Sequence, residues 1–261
     1  MTQTPLDTAF AAMDDAPQDD TARLRFYDRL ASAELFLMLT EEADGQNISP
    51  EVFEVEDASF VLAFDLEERL AAFAGRPVPY VALSGRALAG MLAAQGIGLA
   101  LNIEVAPSAQ LLPPEAMGWL VETLGQAPEQ AEARPETFGA PRVPEVLITA
   151  LDSKLALAAG LARKAYLAEV TYEGGARGHL LGITGAVPGA EGALAKAVNE
   201  ALVFSGLDAG ALDVTFLADS DPLAAQLAGV ALRFDLPEPE APRKYEQIAP
   251  GSDPDQPPKL R

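Results

Sequence analysis

Cysteine is absent from this 261-residue chain, and histidine occurs once, at His179. Without a thiol there is no disulfide, no thiolate nucleophile and no Cys-ligated zinc or iron–sulfur centre. A single imidazole excludes multi-histidine metal sites. Basic residues are scarce, with 18 Lys and Arg against 39 Asp and Glu and a net charge of -21. A chain of that charge repels nucleic acid and anionic membranes, so neither is expected as a partner. No apolar run approaches the ~18 residues that a membrane helix needs. The opening Met1-Thr2-Gln3-Thr4-Pro5 has neither the basic n-region nor the apolar h-region of a secretory signal. The expectation is a cytoplasmic protein.

What the chain has is apolar material in short runs. Hydrophobic residues make up 49% of it, enough for real cores. From Ser59 to Pro114, runs such as Phe60 to Phe64, Tyr80 to Leu83 and Gly98 to Leu101 alternate with short amphipathic helices. That alternation predicts an α/β (α+β) protein. Two domains are expected, each a mixed sheet packed with short helices. Residues 1–124 form the first. Residues 125–143, with Pro128, Pro135 and Pro141 and little to bury, read as a linker. Residues 144–236 form the second domain, expected to fold separately, and the proline-rich residues 237–261 a disordered tail.

Helices are predicted over Leu6–Met13 and Asp19–Ser32, then after Asp65, which with Glu68 forms an Asp-x-x-Glu variant of the capping box. Ser84 caps the next, and Pro113-Pro114 opens one with Met117, Leu120, Val121 and Leu124 on its core face. In the second domain a helix runs from about Glu145 to Arg163. Strands Tyr166–Tyr172 and Arg177–Thr184 turn at Gly174-Gly175, and a helix from Pro188 carries the stripe Leu194, Ala197, Val198, Ala201 and Leu202. A strand from Leu212, a helix capped by Asp221 and a last strand to Asp235 complete it.

Glu67-Glu68-Arg69-Leu70, Pro79 to Arg86, Gly98 to Asn102 and Leu111-Leu112-Pro113-Pro114-Glu115 resemble the N-terminal domain of the SseB (enhanced-serine-sensitivity) family. Ala165-Tyr166-Leu167-Ala168 and Asp219 to Ala224 are similar to its C-terminal domain. The resemblance implies a bacterial, cytoplasmic protein. The family name records a phenotype, and it brings no catalytic residues to transfer. Related names occur in type III secretion, which here would require an exported N-terminus.

Read for chemistry, the residues favour structural roles. Asp65, Glu67 and Glu68 are paired carboxylates suited to acid–base work, but a helix start also attracts acids. Asp213, Asp219 and Asp221 are spaced without the Gly and distal Glu of a calcium loop. Gly185 to Gly192 lies where a phosphate cradle sits but lacks its spacing, and Glu191 opposes an anion. His179 has no Ser elbow near it. No catalytic residue, metal site or cofactor is therefore expected. Residues 1–57 hold 14 acidic and 3 basic residues, either a solvated face or a docking surface for a basic partner.

Trp119, the only tryptophan, is the candidate interaction residue. At ~100° per residue it lies roughly 200° from Met117, on the far side of its helix from the core stripe. It is either covered by the N-terminal helices, around Phe10 or Phe26, or it anchors a partner or second copy. The expected function is a non-enzymatic cytosolic accessory or regulatory protein acting through protein–protein contacts. The alternatives are a carboxylate- or metal-assisted enzyme of unknown substrate and a secretion-associated component.

Overall fold

Thr4 starts the chain's first helix by a reciprocal bond. Its hydroxyl accepts from the Asp7 amide, the Asp7 carboxylate accepts from the Thr4 amide, and Pro5 fills the first turn. The computed structural model describes residues 2–44, 47–126, 134–207 and 212–238. The expected tail lies almost wholly outside them.

The first region contains α1 (Pro5–Asp15), α2 (Asp20–Ser32), β1 (Glu34–Met38), β2 (Val52–Val55), β3 (Ala58–Phe64), α3 (Glu67–Ala74), β4 (Tyr80–Ser84), α4 (Gly85–Gln95), β5 (Gly98–Leu101), β6 (Gln110–Leu112) and α5 (Pro114–Gly125). Its sheet runs β4-β1-β3-β5-β6, with β2 also on β3. β3 and β5 are parallel and the other pairs antiparallel. β1 and β2 share one edge of β3, β1 on its last residues and β2 on its first. Alternation divides the side chains. Leu35, Leu37, Val61, Ala63, Leu99 and Leu101 pack under α1, α2, α4 and α5, while Phe60, Leu62 and Phe64 pack under α3 through Leu70.

The second region holds β7 (Pro135–Gly139), α6 (Glu145–Leu157), β8 (Lys164–Tyr172), β9 (Arg177–Thr184), α7 (Glu191–Val203), β10 (Asp213–Leu217), α8 (Pro222–Ala228) and β11 (Leu232–Asp235). Its sheet runs β10-β9-β8-β11, with β7 on the same edge of β8 as β11. β9 and β10 are parallel. α6 and α7 cover one face through Leu147, Leu151, Leu194 and Val198, and Leu227 of α8 reaches the other. The fold is thus α+β with two mixed sheets.

The helical faces of the two regions meet. Phe204, just past α7 of the second region, is buried in the core of the first, in one continuous cluster with Phe26 and Met117.

Four details differ from the sequence expectation. Residues 135–139 of the expected linker form β7, because β8 is long enough to pair with a strand beyond β11. α6 stops at Leu157, and Gly160, with φ +75°, donates its N–H to the Pro237 carbonyl. α7 begins at Glu191 because Gly189, at φ +88°, interrupts a start at Pro188. Val121 lies outside the core, and Thr123 is buried instead.

Candidate functional site

The capping role expected of Asp65 is not what it does. The cap position of α3 is Leu66, and no side chain bonds there. The Asp65 carboxylate turns to the Arg69 guanidinium at 2.7 Å and accepts from the Thr4 hydroxyl at 2.6 Å. A buried cation held by several acceptors outcompetes an exposed amide for the carboxylate. Arg69 also donates to both oxygens of Asp7, at 3.0 and 2.5 Å, and to the Thr2 carbonyl. Ser108 donates to Asp7 and accepts from Asn102, whose amide oxygen receives the Asp65 N–H. Arg69 and Asp7 are each only 2% exposed.

This cluster has a telling place in the fold. Asp65 follows β3 and Asn102 follows β5, the two parallel strands. Open sheets commonly take a ligand beyond the carboxyl ends of parallel strands. Here that ground is filled by the chain's own first turn, from Thr2 to Asp7. Burial would raise the Asp7 carboxyl, but bonds from Arg69, Ser108 and the Thr4 amide override it and hold the group at about 2. Burial would likewise lower Arg69, and its two carboxylates push it up instead. Both groups are locked in their charged forms.

The other acids do not converge. Glu67 and Glu68 are exposed in the first turn of α3, and the Glu67 carboxylate beside Tyr80 raises that phenol. Asp221 caps α8 as expected, accepting from the Leu223 amide at 2.8 Å. Asp219 pairs with Arg163, and Asp213 accepts from the Tyr172 hydroxyl. Among the described residues, no three His, Asp or Glu side chains gather into a metal-sized group. His179 accepts the Arg142 amide at 3.4 Å. In the Gly185 to Gly192 loop, the Glu191 carboxylate takes the Gly189 N–H.

A second ionic cluster, between the regions, was not expected from the sequence. Lys154 of α6 reaches Asp28 of α2 at 2.5 Å and Glu200 of α7 at 3.0 Å, and lies 5.8 Å from the centre of the Phe204 ring. Arg86 of α4 closes on Glu200 bidentately, at 2.9 and 3.1 Å. Lys154 and Glu200 are both 4% exposed. Burial alone would raise Glu200, but Arg86 and Lys154 hold it below the usual range. The sequence signal was a lysine on the apolar stripe of α6, between Leu151 and Leu155. Arg69, beside Leu70 of α3, carried the same signal.

Trp119 lies on this seam. Its ring meets Tyr27 of α2 edge-on at 5.0 Å and Phe204 at 6.4 Å. Tyr27 in turn meets Phe26 edge-on, and Phe26 meets Phe10 in the same way. The indole nevertheless stays 39% exposed, with the exposed Val121 on the same helix.

Residues 6–117 match the family model described as the SseB protein N-terminal domain. The second region lies outside that match. No curated protein and no solved structure matches the chain.

Proposed function

We propose, on the premise that this chain belongs to the SseB family through its first region, that it is a non-enzymatic accessory or regulatory protein of the cytoplasm that grips another protein. We read the second region as the family's C-terminal domain. The observation that carries the proposal is Trp119. It is held edge-on by Tyr27 and Phe204, so its orientation is fixed, while more than a third of its surface faces outward. A rigid, half-open tryptophan is the kind of side chain that dominates binding energy at interfaces.

The ionisable groups favour the same reading. A general acid or base works best with a pKa near the operating pH. Asp7, Arg69 and Glu200 are instead pushed away from neutrality, into permanent charge. The exposed acids Asp14, Asp15, Asp19 and Asp20 cluster where α1 turns into α2, the helix that carries Tyr27. That arrangement fits a partner with an apolar pocket and basic residues around it.

The test is affinity capture from a native lysate with quantitative mass spectrometry, using the wild type, Trp119→Ala and Trp119→Phe. A partner anchored by Trp119 loses about 30-fold in affinity with alanine, the usual loss for an interfacial hot spot, and less with phenylalanine. Recovery of the same proteins in the same amounts by Trp119→Ala would defeat the proposal.

A further inference from the structure

A cleft of about 500 Å³ lies between the two regions, walled by α1, α2 and α6. Ala9 and Ala12 of α1 form one side, Ala150 of α6 the other, and Phe204 lines it too. Arg25 and Arg29 of α2 border it, one helical turn apart. Ligand sites have volumes of roughly 300–1,000 Å³, are mostly apolar with a few polar groups, and favour domain boundaries. The cleft has each of these properties.

The arginines decide what it takes. Among the described residues, neither has a carboxylate within ion-pairing distance. Arg29 bonds the Ser153 hydroxyl at 2.8 Å, and Arg25 is exposed. Asp28, the acid lining the cleft, is already matched by Lys154. In a chain with more than twice as many acids as bases, two adjacent guanidiniums without an acid leave a local positive site beside an apolar wall. An acidic macromolecule would meet the repulsion of the whole surface. A small monoanion meets little of it, because screening confines distant charges to a Debye length of about 8 Å at physiological salt.

We propose that this cleft binds an organic monocarboxylate with an apolar body. The carboxylate bridges Arg25 and Arg29, and the body lies along Ala9, Ala12 and Ala150, reaching the edge of the buried Phe204 ring. The site is separate from the outward face of Trp119, but Phe204 lies beside the indole. Occupation is therefore visible in the fluorescence of the only tryptophan.

The probes are octanoate and octanol, the same chain with and without the charge, titrated into the full protein by calorimetry and followed by Trp119 emission. Octanoate is expected to bind saturably, with the same midpoint in both signals, and octanol at least about tenfold more weakly, as loss of a charge-assisted bond implies. Arg25→Ala, on an exposed position, weakens octanoate about tenfold by the same loss. Ala12→Phe, on a different helix, fills the cleft and abolishes binding. Circular dichroism checks that each variant folds, and either variant alone suffices. The proposal is overturned by the absence of saturable octanoate heat at millimolar concentration. It is also overturned if octanol binds as tightly, or if a folded variant binds octanoate like the wild type.

Discussion

Replacing Lys154 by methionine tests whether the two regions form one cooperative unit. The side chains are similar in length, so packing against Phe204 is largely kept and the charge is what goes. In the wild type the cluster is balanced, with Lys154 and Arg86 against Asp28 and Glu200. Without the ammonium, Glu200 keeps its bidentate Arg86. Asp28 keeps nothing equivalent, because its Oδ1 has the lysine charge beside it and no aligned hydrogen bond. Breaking a buried pair from one side costs about 3–5 kcal/mol, most of it the charge left behind. For a chain of this size each kcal/mol lowers Tm by roughly 2–4 °C, so a fall of about 6–20 °C is expected. Lys154→Met/Asp28→Leu removes the stranded charge and regains most of the loss, since an apolar replacement of a buried pair is often neutral. The assay is urea unfolding followed by Trp119 emission and by circular dichroism. Wild type gives coincident transitions, and Lys154→Met a lower midpoint with the two signals separating. A loss below about 1 kcal/mol, the range of exposed ion pairs, would refute the reasoning.

Two further perturbations probe the first region. The Asp7 carboxyl is lowered from 3.8 to about 2, so its contribution is complete above the unfolded value and is lost as pH falls through the folded one. The stability gap between wild type and Asp7→Asn should therefore narrow by about 2 kcal/mol between pH of about 4 and about 2, and a gap that stays constant in urea titrations would contradict the buried network. On α4, alanine should act with opposite signs. At Gly85 a Cβ would overlap the Leu30 carbonyl, so Gly85→Ala is expected to cost more than about 3 kcal/mol. At Gly90 a Cβ meets nothing within 4 Å, and Gly90→Ala should gain about 0.5–1 kcal/mol in thermal melts.

What was legible in the sequence was local. The stripe Leu194, Ala197, Val198, Ala201 and Leu202 marks a buried helix face because spacing alone determines it, and all but the half-buried Ala197 are buried, while Gly174-Gly175 marks a hairpin because both residues have positive φ. β7 was not legible. Pro135-Glu136-Thr137-Phe138-Gly139 has one large apolar side chain, and its extended form comes from pairing with β8. Asp65 misled for a related reason. Asp-x-x-Glu looks the same whether the carboxylate turns to a backbone amide or to a guanidinium, and its partner Thr4 lies 61 residues away. The position of Trp119 outside the core stripe followed from helix geometry. That its neighbours are Tyr27 and Phe204 did not, because Phe204 arrives from the other region.

The burial of Phe204 in the first core has a consequence for the order of events during synthesis. The helices and strands of the first region whose core it joins are all complete by Gly125. The ring that closes them emerges about 80 residues later, between roughly 4 and 16 s at ordinary rates of translation. Through that interval the nascent first region presents a vacant apolar socket beside Tyr27 and Trp119. It is then a substrate for chaperones or for premature association, and its surface is finished only when α7 has been made.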